Sequence, residues 1–279
     1  MKFKVHYKER FYLACMVLIS LFAYGALIIT LSASLAIPEV FKIYLKIIPA
    51  IIALIFISSM IFVGNLKGNA IKVNPRQFPE IYKILETQAK ALNFKQLPEV
   101  YVLQNGGVLN AFALKFAHRD YVVILSSVLE IAYQEGLDAV AFIIGHELGH
   151  IKRKHTSFFK SVFLLPAKLV PFLGNAYSRA CEYTCDNIGY SLSPKGALDG
   201  TLILAAGKTL YKQVDANELV LSLQLESSFL RSFAEIFATH PAMLKRVAAM
   251  YKLKRQDLTP ETPAFNTPRV DLKQFEAQP

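Results

Sequence analysis

The sequence predicts a mostly helical α+β protein, in which two N-terminal transmembrane helices precede a soluble domain with a small antiparallel sheet. Two uncharged apolar segments near the N-terminus predict the transmembrane helices. Short segments rich in Val, Tyr and Phe predict the sheet, and longer segments with helical periodicity predict the rest. A chain of 279 residues with 53% hydrophobic side chains is long enough to form an apolar core in one or two domains.

The membrane anchor is predicted at residues 1–67. Residues 11–37 and 47–66 contain no charged side chain, and each segment reaches the roughly 20 residues that cross a bilayer. The first segment is also longer than the apolar part of a signal peptide. Lysines and arginines are concentrated outside the two segments rather than in the loop between them. The positive-inside rule therefore predicts a multi-pass protein whose soluble domain faces the cytoplasm.

The net charge of +10 bears on the binding partners of the protein, and the positions of its cysteines bear on whether the thiols are reduced. Much of the basic excess flanks the predicted spans, where it would meet lipid headgroups, and no nucleic-acid-binding signature accompanies it. The sequence therefore predicts the lipid bilayer as a partner and predicts no nucleic acid. Cys181 and Cys185 are one helical turn apart, and we expect reduced thiols there in a reducing cytoplasm. For Cys185 we expect an inert buried thiol rather than a metal ligand.

The soluble domain is predicted at residues 68–258. Its predicted elements are a helix that begins at Pro79, strands at 99–103, 111–117 and 121–125, helices at about 136–155 and 175–192, and two or three further helices at 194–254. The apolar residues 158–173 fit either an interfacial membrane hairpin or an ordinary buried segment. The tail at 259–279 has prolines and charges without periodicity, which predicts disorder.

A metal site is predicted by the sequence His146-Glu147-Leu148-Gly149-His150 on the helix at 136–155. Residues at i and i+4 lie on one helical face, so both imidazoles can reach one zinc ion at about 2.0–2.1 Å. Glu147 is offset from that face and can instead reach a water molecule at the metal, which is the position of a general base. The competing interpretation is a histidine pair on a helix surface.

The third ligand is expected to be a glutamate from a second helix. The longer histidine motif of metzincins needs glycine at position 153 and histidine at 156, but the chain has Arg153 and Thr156. Glu182 lies on the helix at 175–192, and Asp186 follows one turn later on the same face. Asp186 can accept the outer ring N–H of a ligand histidine and fix its tautomer. Without the histidine motif, both carboxylates would be interpreted as a solvated helix face.

The chain resembles the membrane-anchored HtpX type of gluzincin zinc metallopeptidase, whose relatives include the CAAX prenyl protease. Four segments carry the resemblance in this order: Asn110-Ala111-Phe112-Ala113, residues 146–150, residues 178–186, and Thr239-His240-Pro241 followed by Arg246. The resemblance implies one zinc ion per chain, a location in the cell (inner) membrane, and protein or peptide substrates that include misfolded membrane proteins. It also implies that His240 and Arg246 stabilise the oxyanion, and that Asn110, Ala111 and Phe112 bind an extended substrate.

The chain departs from that family in two places. HtpX proteins usually have further spanning helices between the second histidine and the glutamate, but the intervening segment here is too short for two crossings. Cys185 also stands where the family usually has alanine. We further expect His6, His118 and His155 at the surface, because the sequence offers them no partner.

The function predicted is a membrane-anchored zinc endopeptidase of membrane-protein quality control. The alternatives are a catalytically inactive, membrane-tethered binding or scaffold protein on a protease fold, and a substrate-specific processing protease. The oligomeric state does not follow from the sequence.

Overall fold

The computed structural model describes residues 3–34, 38–104, 106, 110–225 and 229–258. The helices are α1 (Tyr7–Ser34), α2 (Pro38–Asn69), α3 (Pro79–Ala91), α4 (Ser126–Glu135), α5 (Asp138–Lys152), α6 (Phe158–Phe163), α7 (Leu165–Lys168), α8 (Leu173–Leu192), α9 (Pro194–Leu210), α10 (Ala216–Leu225), α11 (Phe229–Phe237) and α12 (Met243–Leu258). The strands are β1 (Ile71–Lys72), β2 (Glu99–Leu103), β3 (Ala111–Phe116) and β4 (Arg119–Leu125). The mostly helical α+β class is confirmed in this part of the chain, and the tail at 259–279 lies outside the described residues.

The sheet has the order β1-β2-β4-β3 and is mixed rather than wholly antiparallel. β3 and β4 form the antiparallel hairpin that the sequence predicts. β4, and not β3, lies beside β2, and these two strands run in the same direction. The antiparallel expectation was wrong for this pair because the alternation of side chains within a strand does not reveal which strand lies next to it. As a result β3 is an edge strand.

Both faces of the sheet are covered. One face packs against the apolar core formed with α3 and α5, to which it contributes Val100, Val102, Val122 and Ile124. The opposite face contacts the C-terminal part of α2, through a cluster of Val63, Leu66, Tyr101, Tyr121 and Val123. β4 is therefore buried continuously from Tyr121 to Leu125. Since α2 supplies part of this packing, the second candidate membrane helix is joined directly to the soluble domain.

The two N-terminal helices, α1 and α2, are long and apolar enough to cross a membrane. Most of their apolar side chains are exposed, as expected for helix surfaces that face lipid. α2 continues to Asn69, past the boundary that the sequence places at residue 67. The end of the first predicted span, at residues 35–37, lies outside the described residues.

The first half of α1 packs against the soluble domain. Met16 is buried in a cluster with Leu164 and Ala167 from the α6–α7 segment, and Tyr177 and Cys181 of α8 complete it. The hydroxyl of α1 residue Tyr24 also donates a hydrogen bond of 2.6 Å to the carbonyl of Val162. The remaining apolar side chains of residues 158–173 are largely exposed, among them Phe159, Leu165 and Leu169. This segment therefore combines a buried side, which contacts α1, with an exposed apolar side.

Two glycines allow α5 and α8 to approach closely. A Cβ atom at Gly149 would lie 3.2 Å from the Cα of Cys185, and one at Gly145 would lie 3.1 Å from the Cα of Gly189. Such contacts are tighter than ordinary van der Waals packing, so larger residues here would separate the helices. The close approach brings the histidines of α5 toward the glutamate of α8.

Candidate metal centre

The structure brings His146, His150 and Glu182 together. The Nε2 atoms of the two histidines are 3.2 Å apart. Glu182 Oε2 lies 3.5 Å from His146 Nε2, and Glu182 Oε1 lies 3.4 Å from His150 Nε2. All three side chains are at least half-buried, and one ligand atom from each lies within 4.8 Å of the other two.

These distances fit the donor set of a tetrahedral zinc ion. Bonds of about 2.1 Å to a tetrahedral ion place neighbouring donor atoms about 3.4 Å apart. The two Nε2 atoms are 3.2 Å apart, and each lies 3.4 or 3.5 Å from one oxygen of the Glu182 carboxylate, Oε1 for His150 and Oε2 for His146, all close to that edge length. Two imidazoles and one carboxylate leave a fourth position for a water molecule or substrate, which is the pattern of catalytic rather than structural zinc sites.

A buried ion pair lies behind His146. The Nδ1 atom of His146 is 2.9 Å from Asp186 Oδ1. Arg246 donates two hydrogen bonds to the same carboxylate, of 2.8 Å from Nε and 2.6 Å from Nη2. Its Nη1 atom also lies 3.4 Å from Glu182 Oε2. Asp186 accepts a hydrogen bond from the Nδ1–H group of His146. The other ring nitrogen, Nε2, is then unprotonated, and its lone pair is directed at His150 and Glu182.

The electrostatics of this cluster favour a cation. Burial raises the pKa of both carboxylates, but other contacts outweigh it and hold both values below their usual range. For Asp186 these are the charge of Arg246 and the hydrogen bonds to His146 and Arg246, and for Glu182 they are the hydrogen bonds to His146 and His150. Burial likewise lowers the pKa of His146, but the hydrogen bonds to Asp186 and Glu182 raise it to about 10. The two carboxylates therefore attract positive charge strongly. A divalent ion can take the place of the second proton that the raised pKa of His146 would otherwise retain on its ring.

His155 lies beneath His150, so the expectation of a surface position for it was wrong. The Nδ1 atoms of the two rings are 3.2 Å apart. On its other side, His155 Nε2 is 3.2 Å from Oε1 of Glu9, a fully buried carboxylate on α1. Burial lowers the pKa of His155 to about 4. The ring is therefore neutral at physiological pH.

The two cysteines of α8 lie next to this cluster and are buried. Burial raises the pKa of Cys181 to about 12 and that of Cys185 well above its usual value. Both thiols are therefore protonated at neutral pH when no metal ion contacts them. Each could join His155 in another three-residue group. His146, His150 and Glu182 are the better donor set, because Arg153 already occupies the Glu9 carboxylate of one of these groups and Cys185 of the other does not line the open cleft.

An open cleft of about 560 Å³ lies in front of the predicted ligands. One wall is β3, from which Asn110, Ala111 and Phe112 line the cleft. Glu147 also lines it, from α5. His240 stands at the mouth, with a side chain that is 67% exposed and an Nε2 atom 3.7 Å from Glu182 Oε1. Of the predicted site residues, all line the cleft except Asp186, which is buried behind it.

Paired histidines on one helix, facing a glutamate from a second helix and an open cleft, define the metallopeptidase class of site. The model of peptidase family M48 matches residues 75–166 and 157–254, which together make up more than half of the chain. The chain therefore belongs to peptidase family M48. The prediction of a protease and the resemblance to the HtpX type are confirmed.

Two individual proteins are similar to this chain. The chain is 34% identical over 105 residues to a protein named "Protease HtpX homolog" from Picrophilus torridus, an alignment that covers 37% of this chain and 32% of that protein. The chain thus spans about a third of that relative's length. The crystal structure of S. mikatae Ste24p is similar over 89% of this chain and 67% of that chain, with a TM-score of 0.49 and 15% identity.

Proposed function

We propose that the chain is a zinc-dependent endopeptidase whose metal is held by His146, His150 and Glu182. The observation that carries the proposal is the convergence of the two Nε2 atoms and the Glu182 carboxylate, at separations of 3.2 to 3.5 Å, at the edge of an open cleft. One zinc ion per chain fits this donor set. When bound, zinc polarises the scissile carbonyl and lowers the pKa of a water molecule toward about 7.

Glu147 is the proposed general base. It follows His146 on α5, so its carboxylate lies beside the ligand face and lines the cleft. In this position it can take a proton from the attacking water and later give it to the leaving amine. Because Glu147 is not one of the ligand residues, its role in proton transfer is separable from metal binding.

The peptide substrate is proposed to bind along β3. Within the described residues this strand pairs only with β4, on one side, and residues 110–115 line the cleft. An extended peptide can therefore add to the free edge through main-chain hydrogen bonds, which depend little on its sequence. The substrates expected are unfolded segments of proteins, a class that includes misfolded membrane proteins.

The two late basic residues are proposed to have different roles. Arg246 is buried, and its guanidinium is engaged by Asp186 and approaches Glu182, so it holds those carboxylates and adds positive charge behind the site. His240 is exposed at the cleft with Nδ1 hydrogen-bonded to the Thr239 hydroxyl, and its Nε2 atom can donate to an oxyanion that forms on the substrate. Loss of His240 should therefore slow cleavage without releasing the metal.

The proposed location is the cell (inner) membrane, with the catalytic domain in the cytoplasm. The positive-inside pattern supports this orientation, since lysines and arginines lie mainly before α1 or in its first turn, and after the apolar part of α2. α1 and α2 both pack against elements that wall the cleft, α8 and β3 respectively. The site is thus attached closely to the membrane helices, which suits a role in membrane-protein quality control.

Metal removal tests the proposal. The full-length protein in detergent should hydrolyse casein, lose that activity when zinc is withdrawn by a chelator, and recover it when zinc is added back. The reason is that the donor set has no other means of activating water. Release of labelled casein fragments is the measurement. Hydrolysis that persists in metal-free protein would show that the catalytic group is not zinc.

A further inference from the structure

A continuous chain of polar contacts joins α1 to the proposed metal ligand His150. Glu9 of α1 is fully buried, and its Oε1 atom lies 3.2 Å from Nε2 of His155. The other ring nitrogen of His155, Nδ1, lies 3.2 Å from Nδ1 of His150. His150 presents its remaining nitrogen, Nε2, to His146 and Glu182. Three side chains thus connect the first membrane helix to the metal site.

Only one arrangement of protons satisfies all of these contacts. A histidine that binds metal through Nε2 must carry its proton on Nδ1, so His150 donates to His155 Nδ1. His155 must then carry its proton on Nε2, from which it donates to Glu9. An ionised carboxylate can only accept, so Glu9 selects this tautomer of His155 and, through it, that of His150. The thiol of Cys185, 3.6 Å from the same Nδ1 of His155, does not change this direction.

The end of α5 fixes the position of His155. The backbone N–H of His155 donates to the carbonyl of His150 at 2.9 Å, and that of Lys154 donates to Ile151 at 2.9 Å. Lys154 has a φ of 56°, in the left-handed region. This is the Schellman ending of a helix, in which the chain reverses over its last turn. It places the His155 ring under the His150 ring, so the contact follows from backbone geometry.

Arg153 contacts the same oxygen of Glu9 that His155 approaches. Its guanidinium donates to Oε1 of Glu9, at 3.1 Å from Nε and 2.9 Å from Nη2. Arg153 thus shares the Oε1 atom of Glu9 with His155 but does not itself touch His150. This arrangement supplies a matched control, since Arg153 contacts Glu9 but lies outside the path from Glu9 to the metal ligand.

We propose that Glu9 and His155 are positioning residues that orient His150 for metal binding, so that docking of the first membrane helix completes the metal centre. The inference rests on the proposed zinc site. Outer partners of metal ligands typically control about 10- to 100-fold of metal affinity. α1 is then a part of the metal centre as well as a membrane anchor.

The test compares His155→Leu, His155→Asn, Glu9→Gln and Arg153→Gln in the full-length protein. Zinc affinity is measured by competition with a chromogenic chelator, and the ligand field by the visible absorption of the cobalt-substituted protein. His155→Leu should bind zinc about 10- to 100-fold more weakly and should change the cobalt spectrum. Asparagine can present an oxygen near the position of Nδ1, so His155→Asn should recover part of the affinity. Glu9→Gln should weaken binding because an amide no longer selects one tautomer. Arg153→Gln keeps the Glu9 carboxylate beside His155, so it should weaken zinc binding less than Glu9→Gln does.

The outcomes separate this inference from the proposed function. Wild-type zinc affinity and cobalt spectra in folded His155→Leu and Glu9→Gln would overturn the positioning role alone. Equal losses in Glu9→Gln and Arg153→Gln, together with equal drops in thermal midpoint, would assign Glu9 a merely structural role. If His155→Leu does not fold, the relative zinc affinities of His155→Asn, Glu9→Gln and Arg153→Gln decide whether Glu9 and His155 position His150. A wild-type protein that binds neither zinc nor cobalt would overturn the proposed function, and this inference with it.

Discussion

Replacement of Glu147 by glutamine should abolish casein hydrolysis while the protein keeps its zinc. Glutamine has nearly the shape of glutamate but cannot accept and return a proton, and general acid–base catalysis contributes about 10²- to 10⁴-fold to rate. Glu147 lines the cleft beside His146 but is not among the ligand residues, so the metal should stay. The measurements are the hydrolysis rate and the zinc content of the same purified sample.

Glu86→Gln is the matched control for this variant. Glu86 is an exposed glutamate on α3, so the same chemical change there should leave both rate and zinc content unchanged. Full activity of Glu147→Gln would contradict its assignment as the base. Loss of zinc from Glu147→Gln would instead show that this carboxylate is a ligand.

Replacement of Glu182 by glutamine should release the zinc. Glu182 is buried between His146 and His150, and its negative charge is needed to balance a divalent ion there. Glutamine keeps an oxygen but loses that charge, so affinity should fall by more than the roughly 10- to 100-fold that outer partners control. Metal content after dialysis against a weak chelator is the measurement.

The charge of Arg246 gives the same variant a second expected effect. In this variant the guanidinium of Arg246 keeps its ion pair with Asp186 but loses the one with Glu182, so one of its two buried carboxylate partners is gone. Removing one partner of a buried ion pair costs about 3–5 kcal/mol, so the thermal midpoint should also fall, unlike that of Glu86→Gln. Retention of wild-type zinc content by Glu182→Gln would show that another residue is the third ligand.

The proposed ligand set and most helices could be predicted from the sequence because their signals are local. The spacing of His146 and His150 fixes both on one helical face, and Asp186 follows Glu182 by one turn in the same way. Pro79 marks the start of α3, and strand β2 lies at residues 99–103 as predicted. Where the spacing of side chains along the chain decides the local structure, the positions of the elements can be predicted from the sequence.

The surroundings of His150 could not be predicted because they depend on backbone geometry and distant segments. Helices that end as α5 does usually have glycine in the left-handed position, but this chain has Lys154 there. The sequence therefore gives no sign of the chain reversal that buries His155. Glu9 lies among lysines and arginines that indicate a membrane flank, and its contact with Arg153 spans 144 positions of the chain. The parallel pairing of β2 with β4 is likewise a non-local contact.

The most direct test of the central claim is the zinc X-ray absorption spectrum of the full-length wild-type protein. We expect only nitrogen and oxygen neighbours at about 2.0–2.1 Å, with the scattering pattern of two imidazoles. A sulfur neighbour at about 2.3 Å would place a cysteine of α8 on the metal, and a spectrum with a single imidazole would remove one of the two histidines. Either result would contradict a zinc ion held by His146, His150 and Glu182.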